Sequence, residues 1–543
     1  MSGFLNSKIE SVVSRNSRVL IFFSLAVLIF YGNILFGNFV FDDNIFIENN
    51  VQIRSLVNFS EIYQSSTTLG SGLSGDNFYR PNQQFIYTLL YSLFGLTPFF
   101  FHLVPLALHV LNGFLLFILF TWLGVSRRSS FLGALIFLLH PALTQAVSYI
   151  SGLSEPLVTT SILSVLLIFI RAMEKMPTKK FLLWLLSACA IFSLGLLSKE
   201  SQFTAFPLTI LLSIFLYKNK NLDNWVRPAS FIFTFGVLSA LYIYLRLNFL
   251  NFTGNLGLTD ATNLYTQSLS VRLTTFVHVL PEYFKMLLFP SRLYYEKPYF
   301  AVSTLLSPQS LVSLAMIILG AYWSLLSLIR RNGKAFFGLG WFILALAPFS
   351  GIIPTNAIYL EHWLYLPIIG LIFCLVILFD KYREFSKKIL PGILLVVLVV
   401  FGFRIMVRNL QWADPIKFYE NELRFAPESA RLHNNLAMEL SDRRDCPSAI
   451  KHYREAIVLS DSYPQTHHNL ARCLEATGEL NEAFLEYLRA LEIEPSFPYS
   501  LAALYNLLSK VGDLRAEYFL ELYERRQNGE VIDIRDIQEA LVK

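Results

Sequence analysis

The chain has 543 residues, 54% of them hydrophobic and 15% charged, with a mean hydropathy of +0.49 and a net charge of +5. A soluble protein of this length needs more charged surface, so the composition excludes an ordinary soluble domain and points to the membrane. The modest positive charge reads as a topology signal and not as the footprint of a nucleic-acid binder, and four cysteines are too few for a disulfide-built scaffold.

The first apolar run, Val19 to Phe36, follows Lys8, Arg15 and Arg18. It is longer than the roughly 7–15 apolar residues of a signal peptide, and no small-residue cleavage site follows, so it is expected to be an uncleaved span. Apolar runs able to cross or nearly cross a bilayer of about 30 Å then recur near 101–123, 129–147, 155–171, 181–197, 202–217, 228–247, 308–330, 335–350, 363–380 and 389–407. That predicts about eleven spans. With the N-terminus inside, the inner segments hold 19 Lys and Arg against 7 in the outer loops, the asymmetry expected of cytoplasmic loops. Arg404 and Arg408 dissent from it. This orientation places the long loop 37–100, the segment 255–304 and everything after residue 409 on the outer face, periplasm or organelle lumen. Phe85 to Leu96 is short and is expected to lie flat on the outer interface. The run from Val271 to Phe289 reads as a surface-lying or re-entrant helix.

Composition changes near Gln411 to a polar, Ala- and Glu-rich tail that repeats. Asn435, Leu436, Ala437 and Leu440 recur 34 residues later as Asn469, Leu470, Ala471 and Leu474, and Ala449, Tyr453 and Ala456 recur as Ala483, Tyr487 and Ala490. That is the tetratricopeptide (TPR) period. Pro495 closes the second unit, a partial third follows with Gly512 echoing Gly478, and Tyr419 and Pro427 belong to a degenerate earlier one. The expected architecture is all-α: a polytopic membrane bundle over 1–410, then a TPR α-solenoid over 411–543 on the outer face.

Polar residues gather at the outer ends of the predicted spans. Asp42 and Asp43 come first, then Arg80, then His140, Gln145 and Glu155, then Lys199 and Glu200, and finally Glu361 and His362. Ionisable groups at such depths are costly unless solvated or paired, and they mark functional sites. A carboxylate can take the proton of an attacking hydroxyl; cations can hold the growing charge of a departing lipid phosphate. Asp42 and Asp43 supply the first kind of group, Arg80 and Lys199 the second. Plainer roles stand beside these. The acids can be solvated turn residues, Arg80 and Lys199 can snorkel to headgroups, Glu155 can cap a helix, and His140 before Pro141 can shape a helix end. Cys189 and Cys374 read as small buried hydrophobes; pairing of Cys446 with Cys473 stays open. No Cys/His spacing suggests zinc, and no Gly-rich nucleotide loop occurs. Two sequons, at Asn58 and Asn251, would matter only in a eukaryotic lumen.

The ordered set "FVFDDN", "YRP", "HPALTQAVSYISGLSEPL", "SKES" and "EHWLYLP", followed by the repeats, resembles the membrane C-type glycosyltransferases that use polyprenyl-phosphate sugars. Within them it is most similar to the TPR-containing protein O-mannosyltransferases. The resemblance implies a GT-C-like bundle and an inverting transfer of mannose from a polyprenyl-phosphate donor to a Ser or Thr of a protein acceptor. It implies a base at Asp42 or Asp43, with Asp43 slightly ahead. Donor-phosphate and substrate contacts would come from Arg80, Lys199, Glu155, His140, Glu361 and His362, and no metal or cofactor is needed because fixed cations can hold a single phosphate. Expected partners are the lipid-linked sugar, the acceptor protein, membrane lipids and a protein bound to the repeats. The expected location is a bacterial inner membrane, or the ER in a eukaryote. Departures are visible: His362 stands where the family usually has Arg, Leu153 replaces an Arg after Gly152, and the repeats are few. A cell-envelope glycan or lipid acceptor is the alternative within the class. A non-enzymatic membrane-anchored TPR scaffold is the alternative outside it; a transporter would place charges mid-bilayer, where His109 is the best candidate.

Overall fold

The computed structural model describes residues 2–72, 78–219, 225–248, 265, 268–295, 301–329, 333–353, 355, 357–382 and 390–542. The sequon at Asn251 and parts of the segment 255–304 lie outside the described residues. The chain forms two compact units, 1–413 and 414–543, and all regular structure among the described residues is helical.

In the first unit, seven helices are long and apolar enough to cross a bilayer: Asn16–Phe36, Pro98–Trp122, Ile150–Ala172, Thr178–Leu196, Val226–Asn248, Pro308–Ile329 and Gly392–Trp412. An eighth is the pair Arg127–Leu138 and Pro141–Ser148, bent by 53°. Among the described residues, seven or eight of the eleven expected runs are thus long and apolar enough by themselves, and the other three form shorter helices. The reason is local. The apolar runs around 202–217 and 363–380 form α-helix only over Ala205–Lys218 and Ile368–Lys381, preceded by the 3-10 turns Glu200–Thr204 and Glu361–Leu364. Fourteen helical residues rise about 21 Å, short of a span. The run around 335–350 is likewise short, Lys334–Phe349. Two of these short helices pack tightly: a Cβ on Gly370 would meet the Gly338 carbonyl oxygen at 2.3 Å, so only glycine permits the approach.

The break in the bent pair has a physical cause. Pro141 removes a backbone donor and disfavours helical geometry at His140, which sits extended at φ −84°, ψ 119°. His140 then fixes the bend, with Nδ1 accepting from the Ala142 N–H and Nε2 against the Leu287 carbonyl at 3.0 Å. His109, the mid-span candidate, is buried between the Tyr365 hydroxyl, 2.8 Å away, and the Leu138 carbonyl, 3.0 Å away. It ties three elements together. The helix Leu269–Leu288 buries Val279, Leu280, Tyr283 and Met286 against Phe342, Tyr359, Trp363 and Leu364.

The second unit stacks helices in consecutive pairs, Ala430–Asp442 with Cys446–Leu459, Pro464–Thr477 with Leu480–Ile493, and Pro498–Val511 with Ala516–Gln527. Ala437, Ala449, Ala471, Ala483 and Ala490 are fully buried, and Tyr453 and Tyr487 nearly so. Small residues at these points let paired helices approach, and stacking buries what one pair alone would expose. The turn after each first helix needs a left-handed residue. Gly478 and Gly512 provide it at φ 89° and 72°; Arg444 occupies the same register position at φ 65°.

Candidate active site

The first helix ends in a 3-10 turn, Gly32–Phe36, and delivers Asp42 and Asp43 on the segment that follows. Phe41, directly before them, is a non-glycine residue at φ 60°, a conformation that costs roughly 1–2 kcal/mol. Its ring is held against Tyr295 at 4.8 Å between centroids. Strain of this kind persists only where neighbours over-determine the backbone.

The two acids then diverge. Asp43 is almost fully buried, 1% exposed. Its Oδ2 accepts from the Val40 N–H at 3.0 Å, and its Oδ1 accepts from the Ser151 N–H at 2.9 Å and from the Ser151 hydroxyl. Burial pushes its pKa up to about 7, against the lowering effect of these hydrogen bonds, and the Asp42 charge adds to the rise. Asp42 is half-buried and accepts from the Tyr149 hydroxyl at 2.7 Å. The Tyr149 ring stacks on Trp412, with centroids 4.9 Å apart and planes 22° from parallel.

A second cluster is cationic. Lys199, at the turn after the helix Thr178–Leu196, forms a buried ion pair with Glu155. Its ammonium also lies 5.6 Å from the centre of the Phe349 ring. Burial lowers its pKa and the nearby Arg80 charge adds to this, while Glu155 opposes both. His362 reaches the same carboxylate, Nε2 to Glu155 Oε1 at 3.9 Å, and its backbone N–H donates to Gln145 Oε1 at 3.0 Å. Burial, then the charges of Lys199 and Arg80, hold the His362 pKa well below its usual value. Next to them Arg246 pairs with Glu200 at 2.5 Å. Burial would raise the Glu200 pKa, but Arg246 and Arg80 outweigh it and leave it low.

The helix Pro81–Phe94 connects the clusters. Gln83 donates to the Ser151 carbonyl at 3.0 Å, and Tyr87 donates to the Ile150 carbonyl at 2.8 Å. The Tyr87 hydroxyl lies within electrostatic reach of both Asp43 and Arg80. Just before the helix, the Arg80 N–H donates to Thr67 Oγ1 at 3.1 Å, and its guanidinium lies 5.2 Å over the Phe78 ring.

Glu361 is fully buried and belongs to a third group. It accepts from the Tyr294 N–H, and its Oε2 lies 3.9 Å from Arg408 Nη2, also fully buried. Arg408 sits 5.2 Å over the Trp412 ring, so this group ends on the residue that supports Tyr149. Arg404 donates to the carbonyls of Pro290 and Ser291, fixing the loop that carries Tyr294 and Tyr295.

Of the eight residues singled out from sequence, Arg80, Glu155, Lys199 and His362 come together. Asp43 is linked toward them through Ser151 and Gln83, and Asp42 is held by Tyr149. Glu361 sits with Arg408, and His140 is engaged by backbone at the helix bend. Arg246, Arg408, Tyr149 and Ser151 escaped the sequence reading. Arg408 carried a signal: a basic residue at a span end expected to lie outside breaks the positive-inside pattern. Ser151 carried none. Among the described residues no group of three or more His, Cys, Asp or Glu is placed to hold a metal.

No protein-family model matches the chain. The human protein O-mannosyl-transferase TMTC4 is 25% identical over 474 residues, covering 77% of this chain and 63% of that protein. Its mouse counterpart is 24% identical, with coverage of 77% and 63%. Human TMTC3, also named a protein O-mannosyl-transferase, is 23% identical, with coverage of 78% and 49%. The chain thus spans 49–63% of the length of these relatives. A crystal structure of ArnT from Cupriavidus metallidurans bound to undecaprenyl phosphate aligns at a TM-score of 0.41 and 13% identity, covering 89% of this chain and 80% of that one. Over 77% of its length, this chain is a distant homologue of proteins named protein O-mannosyl-transferases.

Proposed function

We propose that the chain is a polytopic membrane glycosyltransferase. It moves a monosaccharide, most simply mannose, from a polyprenyl-phosphate donor to a Ser or Thr hydroxyl of a protein on the outer face. The observation that carries this reading is the link between the carboxylate pair and the cation cluster: Ser151 donates to Asp43, and Gln83, three residues after Arg80, donates to the Ser151 carbonyl. The names of the relatives support the class of reaction.

In this reading the acceptor hydroxyl gives its proton to a carboxylate as its oxygen bonds to the anomeric carbon. The bond from that carbon to the phosphate oxygen breaks, and the phosphate leaves with the electron pair. Arg80 and Lys199 hold the charge that develops there, and Arg246 adds a third cation. Burial favours Asp42 over Asp43 as the carboxylate the acceptor meets, because Asp43 is enclosed by Val40 and Ser151. Asp43 then anchors the segment and shares its proton equilibrium with Asp42. The C-terminal repeats supply a surface for the acceptor or another protein.

The test uses purified protein in detergent, labelled polyprenyl-phosphate mannose and a pool of secreted or periplasmic proteins. Donor-dependent label on protein supports the reading. Label on a glycan or lipid fraction moves the acceptor to the cell envelope, and no turnover of the donor or of other polyprenyl-phosphate sugars contradicts it.

A further inference from the structure

Cys446 opens the helix Cys446–Leu459 and Cys473 lies near the end of the helix Pro464–Thr477. Both are free thiols with their sulfur atoms 2.9 Å apart, within reach of a bond, and the Cys473 thiol also donates to Ser441 Oγ at 3.2 Å. Cys473 is fully buried and Cys446 half-buried. One period of 34 residues further on, the equivalent positions carry Leu480 and Leu507. Leu480 is exposed and Leu507 buried, whereas Cys446 is half-buried against the repeat core. The repeat thus carries leucines at the positions that hold two thiols one unit earlier, where the thiols meet. An apolar pair would satisfy that contact as well, so packing does not require sulfur there.

We propose that Cys446 and Cys473 are a disulfide site that staples the first complete repeat to the helix following it. The oxidant is a small-molecule or protein disulfide of the kind present in oxidising compartments. The Cys446 thiolate, the accessible one, attacks a sulfur of that disulfide, forming a mixed disulfide and releasing one thiolate of the oxidant. The Cys473 thiolate then attacks Cys446 Sγ, closing the bond and releasing the second. Two protons leave the protein, and one external disulfide is reduced to two thiols. The closed loop spans 27 residues, and cross-linking it restricts the unfolded repeats. Formation in the cell rests on the outer-face placement of the repeats given above; formation in the tube does not.

The experiment treats the purified full-length protein with oxidised glutathione under native conditions. Titratable thiols should fall from four to two, and a non-reducing peptide map should join the peptides containing Cys446 and Cys473. Amide exchange across 446–477 should slow by about tenfold, reversed by a dithiol reductant. Cys446→Ser and Cys473→Ser should each abolish the linked peptide. Four persistent thiols, or a stable glutathione adduct on Cys446 with Cys473 left free, would overturn the proposal. A second arm traps thiols with an alkylating agent at cell lysis. A linked pair there supports both the site and the outer-face placement; a pair reduced in the cell that closes in the tube keeps the site and sinks the placement.

Discussion

Tyr149 donates its hydroxyl to Asp42 at 2.7 Å while its ring stacks on Trp412 at 4.9 Å. One side chain thus sets both the position of the more accessible acid and its link to the helix that carries Arg408. Tyr149→Phe keeps the stack and removes the hydrogen bond. A hydrogen bond to a charged group contributes about 1.5–3 kcal/mol, so transfer should fall roughly 10- to 100-fold with donor binding retained. Steady-state kinetics with saturating donor checks this; unchanged turnover would remove Tyr149 from the site.

The pH dependence follows from Asp43. Its folded pKa, raised to about 7 mainly by burial, means that the pair holds a proton below that pH. Loss of that proton puts a second negative charge beside Asp42 and makes Asp42 the stronger base, so activity should rise with pH through a limb near 7 that belongs to the pair. The Ser151 hydroxyl lowers that pKa, so Ser151→Ala should move the limb to higher pH. The rate profile of the two proteins settles the direction.

Lys199 and Glu155 form a buried pair. Removing one partner strands the other charge, at a cost of about 3–5 kcal/mol. Glu155→Gln should therefore lower thermal stability in detergent more than the double change with Lys199→Gln does. Donor affinity should fall in every variant that lacks Lys199. Equal affinity in Lys199→Gln and wild type would separate this cluster from the phosphate.

Much of this arrangement is legible in the residues. The repeats announce themselves because buried Ala and Tyr must return at one period, and the span ends announce themselves because charges there need a reason. What stays hidden depends on pairing across the fold. Arg408 and Glu361 are 47 residues apart in sequence and meet only when the helix Gly392–Trp412 packs beside the turn Glu361–Leu364. The difference between Asp42 and Asp43 comes from Ser151, whose hydroxyl is unremarkable in sequence. That three of the expected spans are short helices was hidden for a simpler reason. Hydropathy registers 3-10 turns and helix as one apolar run, so it cannot see where the α-helix begins.

The repeats offer a test independent of catalysis. Arg444 adopts the left-handed conformation that Gly478 and Gly512 supply in the following units. Arg444→Gly should relieve roughly 1 kcal/mol of backbone strain, offset in part by the greater freedom of glycine in the unfolded chain. Slower amide exchange across 430–459 is the expected readout, and Gly478→Ala should change it in the opposite direction across 464–493.

His467, buried in the next unit, faces Glu486 at 2.6 Å and Asp461 at 2.5 Å. Burial lowers its pKa, but hydrogen bonds to the two carboxylates outweigh this and raise it above the usual value. The stabilisation is therefore complete below the unfolded histidine pKa of about 6.5 and is lost as pH rises through the folded value. Amide exchange across 464–493 should quicken on going from pH 6 to pH 9, after correction for intrinsic rates. His467→Gln should flatten that dependence.

The most direct test of the central claim compares wild type, Asp42→Asn and Asp43→Asn for transfer of labelled mannose from its polyprenyl phosphate to protein. Donor binding and thermal stability are measured on the same samples. Transfer by the wild type, lost at least 100-fold in Asp42→Asn with donor still bound, is the expected result. Full transfer by both Asn variants, or a wild type that neither binds nor turns over any polyprenyl-phosphate sugar, would contradict it.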